Sequence, residues 1–217
     1  MRCCIVRHGE TPWNAERRLQ GHQDIPLNAL GMAQARAAGA YLKERHRDCQ
    51  FCAVISSDLR RARQTAEVIA GALGLPVRLS PSLRERHYGT FEGKTPSEAA
   101  AYAPDDYAAL VARADLAAKP GAAEPLSAMV SRIEDSLVQL VKTHGDATVI
   151  VVTHGGVLDV LYRRAMDREL TGPRDAPIPN AGMNWLDLKL DHGRLQWTLQ
   201  AWGQTEHLID ASLDEIL

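Results

Sequence analysis

Short continuous apolar runs along this chain alternate with longer stretches whose apolar residues recur every three or four positions. That is the pattern of strands alternating with helices in an α/β fold with a largely parallel sheet. The runs are Cys3–Val6, Phe51–Ser56, Val77–Leu79 and Thr148–Val152. After the first, Asn28 is a candidate N-cap for a helix to about Arg45. After the second, Ser57 is the expected cap of a helix with Leu59, Ala62, Ala66, Ile69 and Leu73 on one face, ended by Gly74 and Pro76. Leu126, Met129, Val130, Ile133, Leu137, Leu140 and Val141 keep helical spacing up to His144-Gly145, and a helix from about Gly156 to Met166 follows the fourth strand. Two last strands, near Asn184–Leu190 and Leu195–Ala201, flank Asp191-His192-Gly193, which reads as a hairpin turn.

From Thr95 to Pro125 the chain turns alanine-rich, with scattered proline and acid. Thr95-Pro96-Ser97-Glu98 has the form of a capping box with proline at the first helical position, so short helices are expected here. We read residues 1–217 as one domain with a helical insertion at about 95–125, lying over the sheet edge, where substrate choice would reside.

Composition adds exclusions. With 45% hydrophobic and 24% charged residues the chain is an ordinary globular one, and a net charge of -2 speaks against a nucleic-acid partner. Any anion site must be local. The four apolar residues between Arg2 and Arg7 are too few for a signal-peptide core, and no run approaches a membrane span, so a cytoplasmic location and no membrane partner are expected. Nothing in the pattern specifies an oligomeric state. Cys3, Cys4, Cys49 and Cys52 include a C-x-x-C that zinc or redox chemistry would use, but both pairs fall in or beside strands, where reduced cysteine acts as a small buried hydrophobe. No metal or cofactor is expected.

The chemistry gathers at strand ends. Strand one leads into Arg7-His8-Gly9-Glu10-Thr11 and strand four into Thr153-His154-Gly155-Gly156, while Ser57 and Arg61 follow strand two. In open parallel sheets ligands bind beyond the carboxyl ends of strands, so these residues are expected to meet, with Asn14, Arg17, Thr11 and Gln20 nearby. The glycines after each histidine let backbone approach a ligand closely. Arginine forks suit phosphate, and their charge would repel a metal ion that two histidines alone could serve. Cleaving an ester also needs an acid, for which Glu85 after strand three is the candidate; the alternative is a surface salt bridge to Arg84 or Arg86. His144-Gly145 repeats the dipeptide at a helix end, where the helix dipole explains it.

Arg7-His8-Gly9-Glu10-Thr11, Ser57-Asp58-Leu59-Arg60-Arg61-Ala62, Glu85-Arg86-His87-Tyr88-Gly89 and Thr153-His154-Gly155-Gly156 together resemble the histidine phosphatase superfamily, the phosphoglycerate mutase-like family, in order from residue 3 to about 185. The resemblance implies a three-layer α/β/α sandwich around a mostly parallel sheet. It also implies that His8 accepts a phosphoryl group, that Arg7, Asn14, Arg61 and His154 hold the phosphoryl oxygens, and that Glu85 is the proton donor, with no metal. The substrate would be a small phosphorylated molecule.

Glu85-Arg86-His87-Tyr88-Gly89 looks more like the mutase form of its motif. The short insertion, with Arg113 as its only arginine, and Gly156 in place of an asparagine favour a phosphatase. A catalytically silent phosphate-binding regulatory module is a third reading. Gln20, Gly21, His22, Tyr88, Lys94, Trp13 and Asn180 are candidates for the pocket lining, each equally compatible with loop packing. Trp185, Trp197 and Trp202 are expected to pack the last strands.

Overall fold

The computed structural model of the chain describes residues 1–45, 49–113 and 122–208. Its elements are β1 (Arg2–Arg7), α1 (Pro12–Ala15), α2 (Ala29–Arg45), β2 (Phe51–Ser56), α3 (Arg60–Leu73), β3 (Val77–Leu79), α4 (Pro96–Tyr102), α5 (Pro104–Val111), α6 (Leu126–His144), β4 (Thr148–Thr153), α7 (Gly155–Ala165), β5 (Met183–Asp191) and β6 (Arg194–Gln204). The six strands form one sheet in the order β3-β2-β4-β1-β5-β6. The first four run parallel, and β5 and β6 are antiparallel additions at one side.

Two central strands, β4 and β1, explain why the sequence shows unbroken apolar runs there. Alternate side chains enter opposite cores, so both faces must be apolar. Cys3, Ile5, Val149 and Val151 pack with Met129, Ile133 and Leu137 of α6 and Leu158 and Leu161 of α7. Cys4, Val6, Ile150 and Val152 pack with Ala38 and Leu42 of α2 and Ala62, Ala66 and Ile69 of α3. Helices thus cover both faces, giving three α/β/α layers. At the end of the sheet, His192 (φ 46°) and Gly193 (φ 79°) form the left-handed pair that a tight two-residue hairpin uses.

The insertion begins as its sequence indicates. Thr95 and Glu98 form a reciprocal capping box at the start of α4, and α5 follows directly. Residues 114–121 of this segment lie outside the described residues. Cys3 and Cys4 are buried, whereas Cys49 is half-buried and Cys52 is exposed, so the buried-hydrophobe reading fails for the second pair. That pair sits at the amino end of β2 near the surface, where Cys52 Sγ lies 3.5 Å from His144 Nδ1. Trp185 is buried, with Trp197 and Trp202 packed against the core. No helix among the described residues is long and apolar enough to cross a membrane.

Candidate active site

Because β1, β4 and β2 are adjacent and parallel, their carboxyl ends share one edge. The hydrogen-bond ladder continues beyond them: the His8 amide donates to Thr153 O at 2.9 Å and the Ser57 amide to Val152 O at 3.0 Å. This brings His8, Ser57 and His154 side by side. The two imidazoles are buried, with ring centroids 5.1 Å apart and planes tilted by 58°. Gly9 makes the turn possible, since it passes so close to Gly31 of α2 that a Cβ would strike the Gly31 carbonyl.

His8 Nδ1 lies 2.7 Å from Gly9 O. A carbonyl oxygen can only accept, which assigns the ring hydrogen to Nδ1 and leaves a lone pair on Nε2. Burial first, and then Arg61 and Arg7, hold the imidazole pKa well below its ordinary value, so the ring is neutral at pH 7. His154 is shifted the same way by burial, Arg61, His8 and Arg7. Its Nε2 lies 2.8 Å from Ser57 Oγ, and its buried Nδ1 has no partner among the described residues.

Ser57 is therefore not the helix cap that its position suggested. The N-cap of α3 is Leu59, without a side-chain bond, and the Arg60 amide is instead satisfied by Asp24 Oδ1 at 2.6 Å. The strand end places Ser57 against His154, and its Oγ accepts from the Leu59 amide at 3.3 Å. With that bond accepted, the hydroxyl can donate to His154 Nε2, which places the imidazole hydrogen on the unpartnered Nδ1.

Two guanidinium groups complete the centre. Arg61 is wholly buried; its Nη1 donates to Gln23 O and its Nη2 to Gly21 O, each at 2.8 Å. Arg7 donates from Nη1 to Ile178 O at 2.6 Å. None of these three bonds ends on a carboxylate. Burial brings both pKa values down to about 10, with Arg174 the next contributor at Arg7. The Nε atoms of Arg7 and Arg61 are buried and without partners among the described residues. Buried donors left unpaired beside unneutralised cations are suited to an arriving anion.

The loop after β1 supplies Asn14. Thr11 and Asn14 form a capping box, and Asn14 Oδ1 accepts from the Thr11 amide (3.1 Å), Thr11 Oγ1 (3.0 Å) and Asn180 Nδ2 (3.3 Å). All three bonds fall on the side-chain oxygen, so the side-chain nitrogen Nδ2 of Asn14 is the donor a ligand could use. Thr11, expected at the phosphate, has its hydroxyl taken up in this cap and orients Asn14 instead. Gly21 offers its carbonyl to Arg61, and Gln20 is buried with Oε1 unpartnered among the described residues. Arg17 is exposed, with a left-handed backbone (φ 57°).

Glu85 arrives from the segment after β3. Its Oε1 accepts from the Arg86 amide at 2.8 Å and its Oε2 from the Gly156 amide, in the first turn of α7, at 2.9 Å. A Cβ on Gly156 would fall on Glu85 Oε1, so this glycine admits the carboxyl group. Arg84 instead forks onto Asp58 at 2.7 and 2.5 Å, which removes it as the expected surface partner of Glu85. The segment's backbone is clamped by Arg132 of α6, whose guanidinium donates to the carbonyls of Ser82 (2.8 Å), Arg84 (2.7 Å) and Glu85 (2.9 Å) while pairing with Glu124. Sequence reading missed Arg132, because nothing in helical periodicity marks a residue whose partners are loop carbonyls.

The remaining candidates divide. His22 Nε2 donates to Glu85 O at 2.8 Å, and the rings of His22 and His87 meet edge-on at 5.0 Å. Lys94 lies over the Tyr102 ring and Trp13 packs on Gly93. Gly155 lies beside Arg7 and Arg174, and Tyr88 lines an adjoining cavity with Arg86, Arg113, Asp159 and Arg174. Asp159 and Arg174 were also missed; the one visible signal was an acid set among the apolar residues Val157, Leu158, Val160 and Leu161. No three His, Cys, Asp or Glu side chains converge as metal ligands among the described residues.

A parallel-sheet edge of this α/β protein thus carries two neutral buried histidines, a buried and a half-buried arginine and a carboxyl group on a helix N-terminus, a set suited to an anion. The chain belongs to the histidine phosphatase superfamily, branch 1, whose family model matches residues 3–205. It is 38% identical over 205 residues to a phosphoglycerate mutase-like protein 4 of Arabidopsis thaliana, covering 94% of this chain and 85% of that one. It is 37% identical to a metal-independent phosphoserine phosphatase of the same plant, covering 94% and 82%. Among solved structures, a mycobacterial glucosyl-3-phosphoglycerate phosphatase complexed with VO3 is similar, with a TM-score of 0.81, 31% identity, and 94% and 99% of the two chains covered.

Proposed function

We propose that this chain is a phosphomonoesterase working through a phosphohistidine on His8. The observation that carries the reading is the lone pair of His8 Nε2, fixed by the Nδ1 bond to Gly9 O and set among buried donors that lack partners. In the first step Nε2 attacks phosphorus, the ester P–O bond breaks, and the departing oxygen takes a proton from Glu85. Arg7, Arg61, Asn14 and His154 hold the other phosphoryl oxygens, which is where this reaction needs positive charge and alignment. The Gly9 carbonyl stabilises the ring hydrogen of the charged phosphohistidine. In the second step the Glu85 carboxylate takes a proton from water as its oxygen attacks phosphorus, the N–P bond breaks, and inorganic phosphate leaves. Gly155 leaves room beside Arg7, while Gln20, Gly21 and Tyr88 belong to the surrounding wall.

Relatives named as phosphatases support this reading. A second reading, phosphoryl transfer back to the product as in a mutase, is favoured by the form of Glu85-Arg86-His87-Tyr88-Gly89 and by the relative named mutase-like. Incubation with p-nitrophenyl phosphate and, separately, 3-phosphoglycerate is expected to release inorganic phosphate from both. A mutase would convert 3-phosphoglycerate to its isomer with little free phosphate. A silent regulatory module would give neither turnover nor acid-labile phosphate on the protein.

The role of Glu85 has its own test. Glu85→Gln keeps the shape and one acceptor oxygen, and is expected to slow an alkyl phosphate by ~10² to 10⁴. In kcat/KM it should slow p-nitrophenyl phosphate far less, because nitrophenolate leaves without a proton. Equal slowing of the two esters in kcat/KM, which ends at phosphohistidine formation and so leaves out the later step where Glu85 is the base, would show that Glu85 is not the acid.

A further inference from the structure

At Gly156, two residues beyond His154, opens a cavity of about 390 Å³ whose charged lining is three arginines and one aspartate. Arg86, Arg113 and Arg174 line it with Tyr88, Gly156 and Asp159. Gly156 is also the donor to Glu85, so the cavity adjoins the side from which a leaving group would depart. Arg174 reaches toward the phosphoryl site: its Nη1 and Nη2 each lie 3.6 Å from the point a Gly155 Cβ would occupy, and Arg7 Nε lies 3.7 Å from the same point.

One buried carboxylate organises this wall. Asp159 Oδ2 lies 3.2 Å from Arg113 Nη2 and 3.1 Å from Arg163 Nε, and its Oδ1 lies 3.7 Å from Arg174 Nε. Arg163 in turn donates to the carbonyls of Glu169, Thr171 and Pro173, so it fixes the segment that leads into Arg174. Three guanidinium groups share a single carboxylate charge, and Arg174 is additionally set close to Arg7. Arg113 and Arg163 already occupy Oδ2, whereas Arg174 is exposed and makes no hydrogen bond to Oδ1, so its fork is open to an anion that enters the cavity. The phosphoryl group has Arg7 and Arg61 of its own, which leaves the Arg174 fork for a different anion.

We propose that Arg174, set near Asp159 and assisted by Arg113, is the specificity-determining residue of the cavity and binds a second anionic group on the alcohol part of the substrate. The substrate class is then small phosphomonoesters that carry a carboxylate or a second phosphate within the cavity's reach. The inference rests on the phosphomonoesterase reading above and deepens it. Neutral alcohols would fill the same space and bring no anion to the Arg174 fork.

Two matched pairs of esters test this: 3-phosphoglycerate against glycerol 3-phosphate, and fructose 1,6-bisphosphate against fructose 6-phosphate. The protein is expected to favour the charged member of at least one pair by ~10- to 100-fold in kcat/KM, the value of a charge-assisted bond. The responding pair tells carboxylate from phosphate. Arg174→Met should bring that ratio to within about threefold of unity, and Arg174→Lys should restore part of it. No preference in the unmodified protein, or a ratio unchanged in Arg174→Met, overturns the proposal. Hydrolysis of all four esters at similar rates would sink the inference and leave the phosphomonoesterase reading standing. If none is hydrolysed, calorimetric affinities of the same four compounds decide: equal binding within each pair overturns the inference, and charged-member binding lost in Arg174→Met supports it.

Discussion

His8→Ala is expected to give no detectable release of inorganic phosphate and no acid-labile phosphate on the protein after rapid quenching with substrate. The effect is larger than for any other single change, because the other groups act on a bond that only Nε2 forms. Once it is gone, the arginines and Glu85 can still bind and polarise an ester but have nothing to transfer it to. Alanine also leaves the Gly9 carbonyl without its donor, so part of any loss could come from the loop rather than from chemistry. His8→Asn separates the two: its amide can restore a donor near Gly9 O while offering no nucleophile. Inactivity in both variants with unaltered phosphate binding assigns the loss to the nucleophile. Turnover by either variant within tenfold of the unmodified rate would move the phosphoryl acceptor elsewhere, and His154, 5.1 Å away, would be examined next.

The pair of strand ends was legible because parallel strands buried on both faces leave unbroken apolar runs, and such strands must stop where polar residues begin. His8 and His154 sit at those stops, and the sheet order β2-β4-β1 brings them together with Ser57. The cap assigned to Ser57 failed for the same reason that the site exists. Its hydroxyl has a stronger partner in His154, brought close by pairing between strands that are far apart in sequence. Thr11 shows the opposite case, a residue expected at the ligand whose local cap with Asn14 takes its hydroxyl. Arg132, Asp159 and Arg174 act through loop carbonyls and through one shared carboxylate, and neither arrangement leaves a period in the sequence. The supporting shell of the site is thus less visible than its centre.

Arg61→Met is expected to lower kcat/KM by ~10³ to 10⁵, the range for an arginine on a transferring phosphoryl group. Its effect on folding should be much smaller, because two contributions oppose one another. Loss of the fork leaves the carbonyls of Gly21 and Gln23 without donors, at a cost of about 1 to 3 kcal/mol each. Against this, a guanidinium lowered from 12.5 to about 10 by burial carries a penalty of about 3 kcal/mol for its charge in the empty protein, which methionine removes. The charge is therefore maintained for the ligand and not for the fold. Inorganic phosphate should raise the melting temperature of the unmodified protein and leave that of Arg61→Met nearly unchanged, since binding stabilises only a state that can bind. Arg61→Lys should recover little, because the three donors of an ammonium sit on one atom, whereas Arg61 reaches the two carbonyls from two different nitrogens and keeps its Nε for the phosphoryl oxygens. A variant that kept its phosphate-induced stabilisation while losing activity would place Arg61 in loop support alone, and the burden of phosphoryl binding would shift to Arg7 and His154.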